Sequence, residues 1–207
     1  MKLIKNFRIA LRQGYIFRDI KKKKKMQGLV PILIGTSKPE ALHNNVAENS
    51  FSVKRSERKI ELPEQALSEK LKEIQNNIKP ATIYETFNPA VFGKKIDFGK
   101  SIAVTVFAVT LGTEIELLKK NEILDAALKD GFEVTKNFTA KLIQLEAEEE
   151  HCELMEPMEI EPSLIFENKK ILAKLDFLKI DIKFGKDVLI PGNTKFFAIG
   201  WLLKRKK

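Results

Sequence analysis

Gly112 closes the most apolar stretch of the chain and stands just before Glu114 and Glu116. A glycine at a strand-to-helix junction can turn backbone N–H groups toward a negatively charged ligand. For a single glycine a tight turn alone is the expected reading. Thr110 and Thr113 flank it with hydroxyls that both donate and accept hydrogen bonds. Two cations, Lys183 and Lys186, stand in Ile182-Lys183-Phe184-Gly185-Lys186-Asp187. They reach the same ligand if the C-terminal strands fold back beside Gly112. His151 and Cys152 are adjacent, but acids surround them. Those acids have the wrong sign to activate a thiol as nucleophile, so a surface pair without a catalytic role is expected. Residues 146–161 carry eight glutamates. They offer oxygen ligands to a divalent cation, yet lack the ordered spacing of a calcium loop, and a solvated acidic loop is expected. The chain has no Walker loop, no dinucleotide glycine fingerprint and no nucleophile elbow. No catalytic residue and no metal site is assigned.

These residues sit in a chain of 207, of which 43% are hydrophobic. That is enough to bury the core of one domain. A single cysteine excludes an intramolecular disulfide framework. With only two histidines, a structural zinc site is disfavoured. The longest apolar run, residues 102–109, is far too short to cross a bilayer. No secretory signal is evident, and a cytoplasmic protein is expected. The formal charge of +9 is unevenly placed: residues 1–25 carry +9, residues 204–207 carry +4, and everything between carries −4. Only six residues are arginine, the usual choice for bidentate phosphate and guanine contacts, so nucleic acid is not the favoured partner.

The spacing of Leu3, Ile4, Phe7, Leu11, Tyr15 and Ile16 predicts a helix over residues 1–20, ended by the lysine run 21–25. Residues 1–60 form a basic helix and loop region appended to the body, and residues 1–25 read as dispensable for its folding. A short strand is expected at 29–34 and a polar loop at 36–59. Leu67, Leu71, Ile74 and Ile78 mark an amphipathic helix that starts near Pro63 and stops at Pro80. A strand follows at 81–87, and a hairpin arm is expected over 91–98. Residues 102–111 read as a central strand covered on both faces. The stripe Ile123, Ala127, Val134, Phe138, Leu142 and Leu145 predicts a long helix over 122–150, with Gly131 its weak point. Pro157 and Pro162 turn the acidic stretch into loop. A short helix at 164–175 and strands at 180–184, 188–190 and 196–203 complete the body, residues 61–203, and 204–207 form a basic tail. The expected fold is α+β, a mixed and mostly antiparallel sheet packed with long helices. Leu71, Ile74, Val106, Phe138 and Leu142 are the expected core.

Four pieces of this body occur in a particular order. A helix ends in Asn76-Asn77-Ile78-Lys79-Pro80 and runs into Ala81-Thr82-Ile83-Tyr84. The apolar strand runs into Val109-Thr110-Leu111-Gly112-Thr113-Glu114. Leu124-Asp125-Ala126-Ala127-Leu128-Lys129-Asp130 opens the long helix. Leu189-Ile190-Pro191 precedes Ala198-Ile199-Gly200-Trp201. In this order, residues 62–201 resemble the activation domain of cobalamin-dependent methionine synthase and its stand-alone relatives. The resemblance implies that fold, S-adenosylmethionine as the small molecule, and a corrinoid-binding methyltransferase subunit as partner. Cobalamin would be met only through that partner, whose inactive cob(II)alamin the family remethylates. It also implies methionine biosynthesis as the process. Thr110, Gly112 and Thr113 at the junction, with Lys183 and Lys186 as substitutes for the family's cation, are the candidate donor-binding residues.

The family's donor motif has an Arg and a Pro-Gly-Tyr turn after the long helix, and a Thr-Glu-Ser stretch near a later strand. Here residues 146–168 contain neither Arg nor Lys and no Gly-Tyr, and residues 182–187 lack the Thr-Glu-Ser. A carboxylate anchor wants a bidentate Arg. The expected function is therefore an accessory or regulatory partner of a corrinoid-dependent methyltransferase, with a degenerate donor site. The alternatives are a competent reactivation domain using other residues, and a peripheral module whose basic ends meet nucleic acid or anionic lipid.

Overall fold

A near-continuous run of β-branched and aromatic residues has to be covered on both sides, and residues 103–110 become the centre of the sheet for that reason. The structure is a computed structural model that describes residues 1–27, 64–93, 95–185 and 189–204. The strand and loop expected at 29–34 and 36–59 lie outside the described residues.

In chain order the elements are β1 (Lys2–Lys5), α1 (Gln13–Gln27), α2 (Glu64–Asn77), β2 (Ala81–Phe87) and β3 (Ala103–Thr110). Then come α3 (Glu122–Glu149), β4 (Cys152–Leu154), β5 (Met158–Ile160), α4 (Pro162–Phe166) and α5 (Lys169–Lys174). The chain ends in the short strands β6 (Lys183–Phe184) and β7 (Leu189–Ile190) and the long β8 (Thr194–Leu203). The main sheet has the order β1-β2-β3-β8-β4, with β5 also on β8. Every pairing in it is antiparallel. The fold is thus α+β, as the element pattern predicts.

Side chains alternate across this sheet. Ile83, Val104, Val106, Ala108, Phe196 and Ala198 face one way, where α4, α5 and the 3₁₀ turn Phe177–Ile180 add Ile165, Ile171, Leu175, Phe177 and Ile180. Tyr84, Phe107, Val109, Phe197, Ile199 and Trp201 face the other way, under Ile143 and Ala147 of α3. Beyond the Thr110 end of the sheet, α1, α2 and the first half of α3 close a third apolar cluster around Leu71, Ile74 and Leu111. Among the described residues no helix is long and apolar enough to cross a membrane.

Several expectations change. Residues 2–5 are an edge strand rather than helix, Lys2 opposite Tyr84 and Lys5 opposite Ala81. The lysine run lies inside α1 instead of ending it. Ile9, Leu11 and Ile16 are buried, and Arg12 is clamped on the fully buried Asp130 of α3. The Arg12 backbone N–H (2.7 Å) and its Nε–H (2.8 Å) both donate to that carboxylate. Residues 1–25 are therefore part of the body. The reason is tertiary: a helical spacing of apolar residues served a strand, a crossing segment and a helix in turn.

The face of α3 is also different. Its buried residues include Ala126, Ala127, Gly131, Thr135, Thr139, Ile143 and Ala147, whereas Phe138 is 37% exposed and Leu142 is half-buried. A helix lying close on a sheet needs small residues beneath it. The threonines satisfy their hydroxyls on the helix itself: Thr135 donates to the Gly131 carbonyl (2.8 Å) and Thr139 to that of Thr135 (2.9 Å). Phe138 instead stacks on Phe7 at 4.7 Å. Gly131, read as a weak point, gives room to Leu111, whose Cδ1 lies 3.2 Å from where a Cβ would stand.

The expected hairpin arm over 91–98 is a 3₁₀ turn, Pro89–Phe92, followed by loop. The helix at 164–175 is two short helices, and the strand at 180–184 shrinks to β6. The acidic stretch is not simply loop. β4 and β5 both pair with β8, and Met155–Pro157 interrupts that edge, held where the Met155 N–H donates to the Gly200 carbonyl (2.8 Å). Cys152 is buried within this edge, not at the surface.

Candidate functional site

The end of β3 meets the end of α2 because Lys79 donates its backbone N–H to the Leu111 carbonyl (2.9 Å). Gly112 has φ +89, a left-handed backbone that L side chains rarely adopt. A Cβ there would lie 2.9 Å from the Lys79 Cβ. Gly112→Ala is thus expected to cost about 2–3 kcal/mol, from a positive φ plus the collision. Urea titration measures it, and a loss near zero would mean that the junction relaxes freely.

This junction forms one wall of a polar cleft of about 760 Å³. Lys5 ends β1, Asn6 and Arg8 come from the segment between β1 and α1, Asn76 from the last turn of α2, Lys79 from just beyond it, and Asp181 and Pro191 from the C-terminal third. Thr110, Gly112 and Thr113 line it together. Lys183 does not line it. It is exposed on the two-stranded β6–β7 ribbon. Lys186 lies outside the described residues.

The hydrogen bonds show what each group has left to offer. The Gly112 N–H donates to the Thr110 hydroxyl (3.2 Å), which in turn donates to the Asn193 carbonyl (3.2 Å). That N–H is therefore spent inside the protein rather than turned to a ligand. Beyond Thr113 the helix expected at this junction is a single 3₁₀ turn, Glu114–Leu117. Thr113 is exposed, with no capping bond from its side chain.

The charge in the cleft comes from elsewhere. Lys5 pairs with Asp181 at 3.3 Å and Lys79 with Glu114 at 3.8 Å. Arg8 is exposed and, among the described residues, has no carboxylate within ion-pair distance. The cleft thus holds three cations and two carboxylates, and suits a ligand with one net negative group. Sequence reasoning missed Lys5 and Arg8 because they lie on a segment far from Gly112 along the chain. Their only local signal was the basic character of the N-terminus.

The stretch after the long helix lines a different, smaller recess of about 330 Å³. Glu148, Glu153 and Glu156 meet Met155, Pro157 and Lys204 there. Lys204 also lines this recess, its backbone N–H donating to the His151 carbonyl (3.1 Å). The other glutamates are partly committed. Glu146 accepts from the Tyr84 hydroxyl (2.6 Å) and pairs with Lys2 (2.7 Å), and Glu159 pairs with Lys195 (2.8 Å). Burial, and then the bond to Glu146, push the Tyr84 hydroxyl well above its ordinary pKa, so it remains a donor. Among the described residues no group of three or more His, Cys, Asp or Glu is placed to hold a metal ion.

No family model matches the chain, and no curated protein matches it.

Proposed function

We propose that the protein is an accessory partner of a corrinoid-dependent methyltransferase, on the methionine synthase activation-domain scaffold that its sequence resembles, with a reduced site for S-adenosylmethionine. One observation supports this reading above the others. Ile78, Lys79 and Pro80, then Thr110, Gly112 and Thr113, and lastly Pro191 belong to separate pieces of the resemblance, and they line a single cleft. Methionine biosynthesis is the process, and the cytoplasm the compartment, that go with this reading. The corrinoid stays on the partner.

A second reading, a competent reactivation domain, is favoured by Arg8. Its guanidinium stands at the cleft as a carboxylate anchor of the type missing after α3. Isothermal titration separates the two. Weak or undetectable S-adenosylmethionine binding is expected. Micromolar binding that falls roughly tenfold to a hundredfold in Arg8→Ala, the effect of losing one charge-assisted contact, would favour the competent domain. The accessory role itself is tested by tagging the chain in its native source. A corrinoid-bearing methyltransferase should co-purify, identified by mass and by its corrinoid absorbance. Its absence from a purification that recovers intact complexes would count against both readings.

A further inference from the structure

We propose that α1 is a docking helix for an anionic lipid surface, through a row of cations on its outward face. This inference does not depend on the corrinoid reading. α1 packs by one side: Ile16 is buried, and Phe17 and Ile20 lie against the cluster built by α2 and α3. Arg18, Lys21, Lys22 and Lys23 are exposed. Arg18, Lys21 and Lys22 stand at i, i+3 and i+4, so they share the face turned away from Ile16. The sequence continues with Lys24 and Lys25.

Among the described residues this row has no counter-charge of its own. Asp19 is the one acid in residues 1–25, and it is turned to the body. It accepts from Lys129 at 2.9 Å and has Lys23 at 3.9 Å. The hydrogen bond from Lys129 holds its carboxyl below the ordinary range, so it stays charged and committed there. Among the described residues, Arg18, Lys21 and Lys22 have no carboxylate within ion-pair distance. Like charges one turn apart destabilise the helix that carries them. An opposing anionic surface relieves that repulsion. The body between the two basic ends is net acidic, at −4, so the molecule approaches such a surface with its N-terminal helix foremost.

The side-chain chemistry favours lipid over nucleic acid. The row is mostly lysine, a compact point charge, and the one aromatic beside it, Tyr15, is half-buried with its ring already under the Arg12 guanidinium at 4.8 Å. Headgroups require only charge within a Debye length of the surface. The apolar side of α1 is already used inside the domain, so attachment is electrostatic and does not involve insertion.

Vesicle sedimentation of the full chain tests this. The protein should pellet with phosphatidylserine-containing vesicles at low salt, stay free with phosphatidylcholine alone, and be released at high salt. Lys21→Glu combined with Lys22→Glu should weaken binding by at least about tenfold. Lys21→Gln with Lys22→Gln is the milder pair, and circular dichroism checks that both variants fold. Trp201 emission should not move on binding, since α1 stays docked on its own domain. Failure to pellet at low salt, equal binding by the folded double variants, or tighter retention on duplex DNA or RNA than on vesicles at matched salt would each overturn the proposal.

Discussion

Removal of residues 1–25 is expected to abolish cooperative folding. The truncation takes away Ile9, Leu11 and Ile16, all buried. Truncating one such side chain to alanine costs ~2–5 kcal/mol. Three of them rival the entire stability of an ordinary domain, ~5–15 kcal/mol. Two further losses act in the same direction. β2 loses its edge partner along the register Lys2 to Tyr84 through Lys5 to Ala81. Asp130, with no exposed surface, loses Arg12 and with it both hydrogen bonds and the ion pair at 2.7 Å. A carboxylate left buried without its partner is strongly destabilising. Urea titration followed by circular dichroism measures the outcome. A truncated chain that unfolds in one sharp transition near the full-length midpoint would show that the N-terminal segment is merely attached.

Phe107→Ala is expected to cost ~3–5 kcal/mol, the usual range for a buried aromatic. Phe107 has no exposed surface and stacks on Phe197 at 5.0 Å between the two central strands. Phe138→Ala makes the comparison informative. That ring is 37% exposed and touches Phe7 by stacking, so its loss should cost only ~1 kcal/mol, the scale of an aromatic pair. Trp201 is buried and donates its indole N–H to Thr105 (2.8 Å), so its fluorescence reports unfolding for both variants. Equal losses would mean that the outer face of α3 is covered.

The contrast between the two phenylalanines shows where sequence periodicity stops being informative. On α3 the large apolar residues trace a helical stripe, yet the buried face is the one with Ala126, Gly131, Thr135 and Thr139. Periodicity registers hydrophobicity, whereas the distance between helix and sheet selects for size. β4 and β5 were hidden for a related reason. Edge strands of three residues among glutamates and prolines have no alternation to detect, and they exist because β8 offers them an unpaired side.

By itself, the sequence determined the elements whose signals are local. Continuous apolarity specified β3, the bounding prolines and the stripe specified α2, and length with helical spacing specified α3. The α+β class follows from their order. Local residues also marked one wall of the cleft, since Gly112 with Thr110 and Thr113 is a junction in any fold. Only the tertiary structure decided what stands opposite that wall. Lys5 arrives on an edge strand whose pairing depends on β2, Arg8 on the segment that follows it, and Lys79 because its backbone N–H bonds to Leu111. It also spent the Gly112 N–H on Thr110 and kept Lys183 out of the cleft. Such choices rest on contacts between residues far apart in the chain, and neither periodicity nor composition carries a term for them.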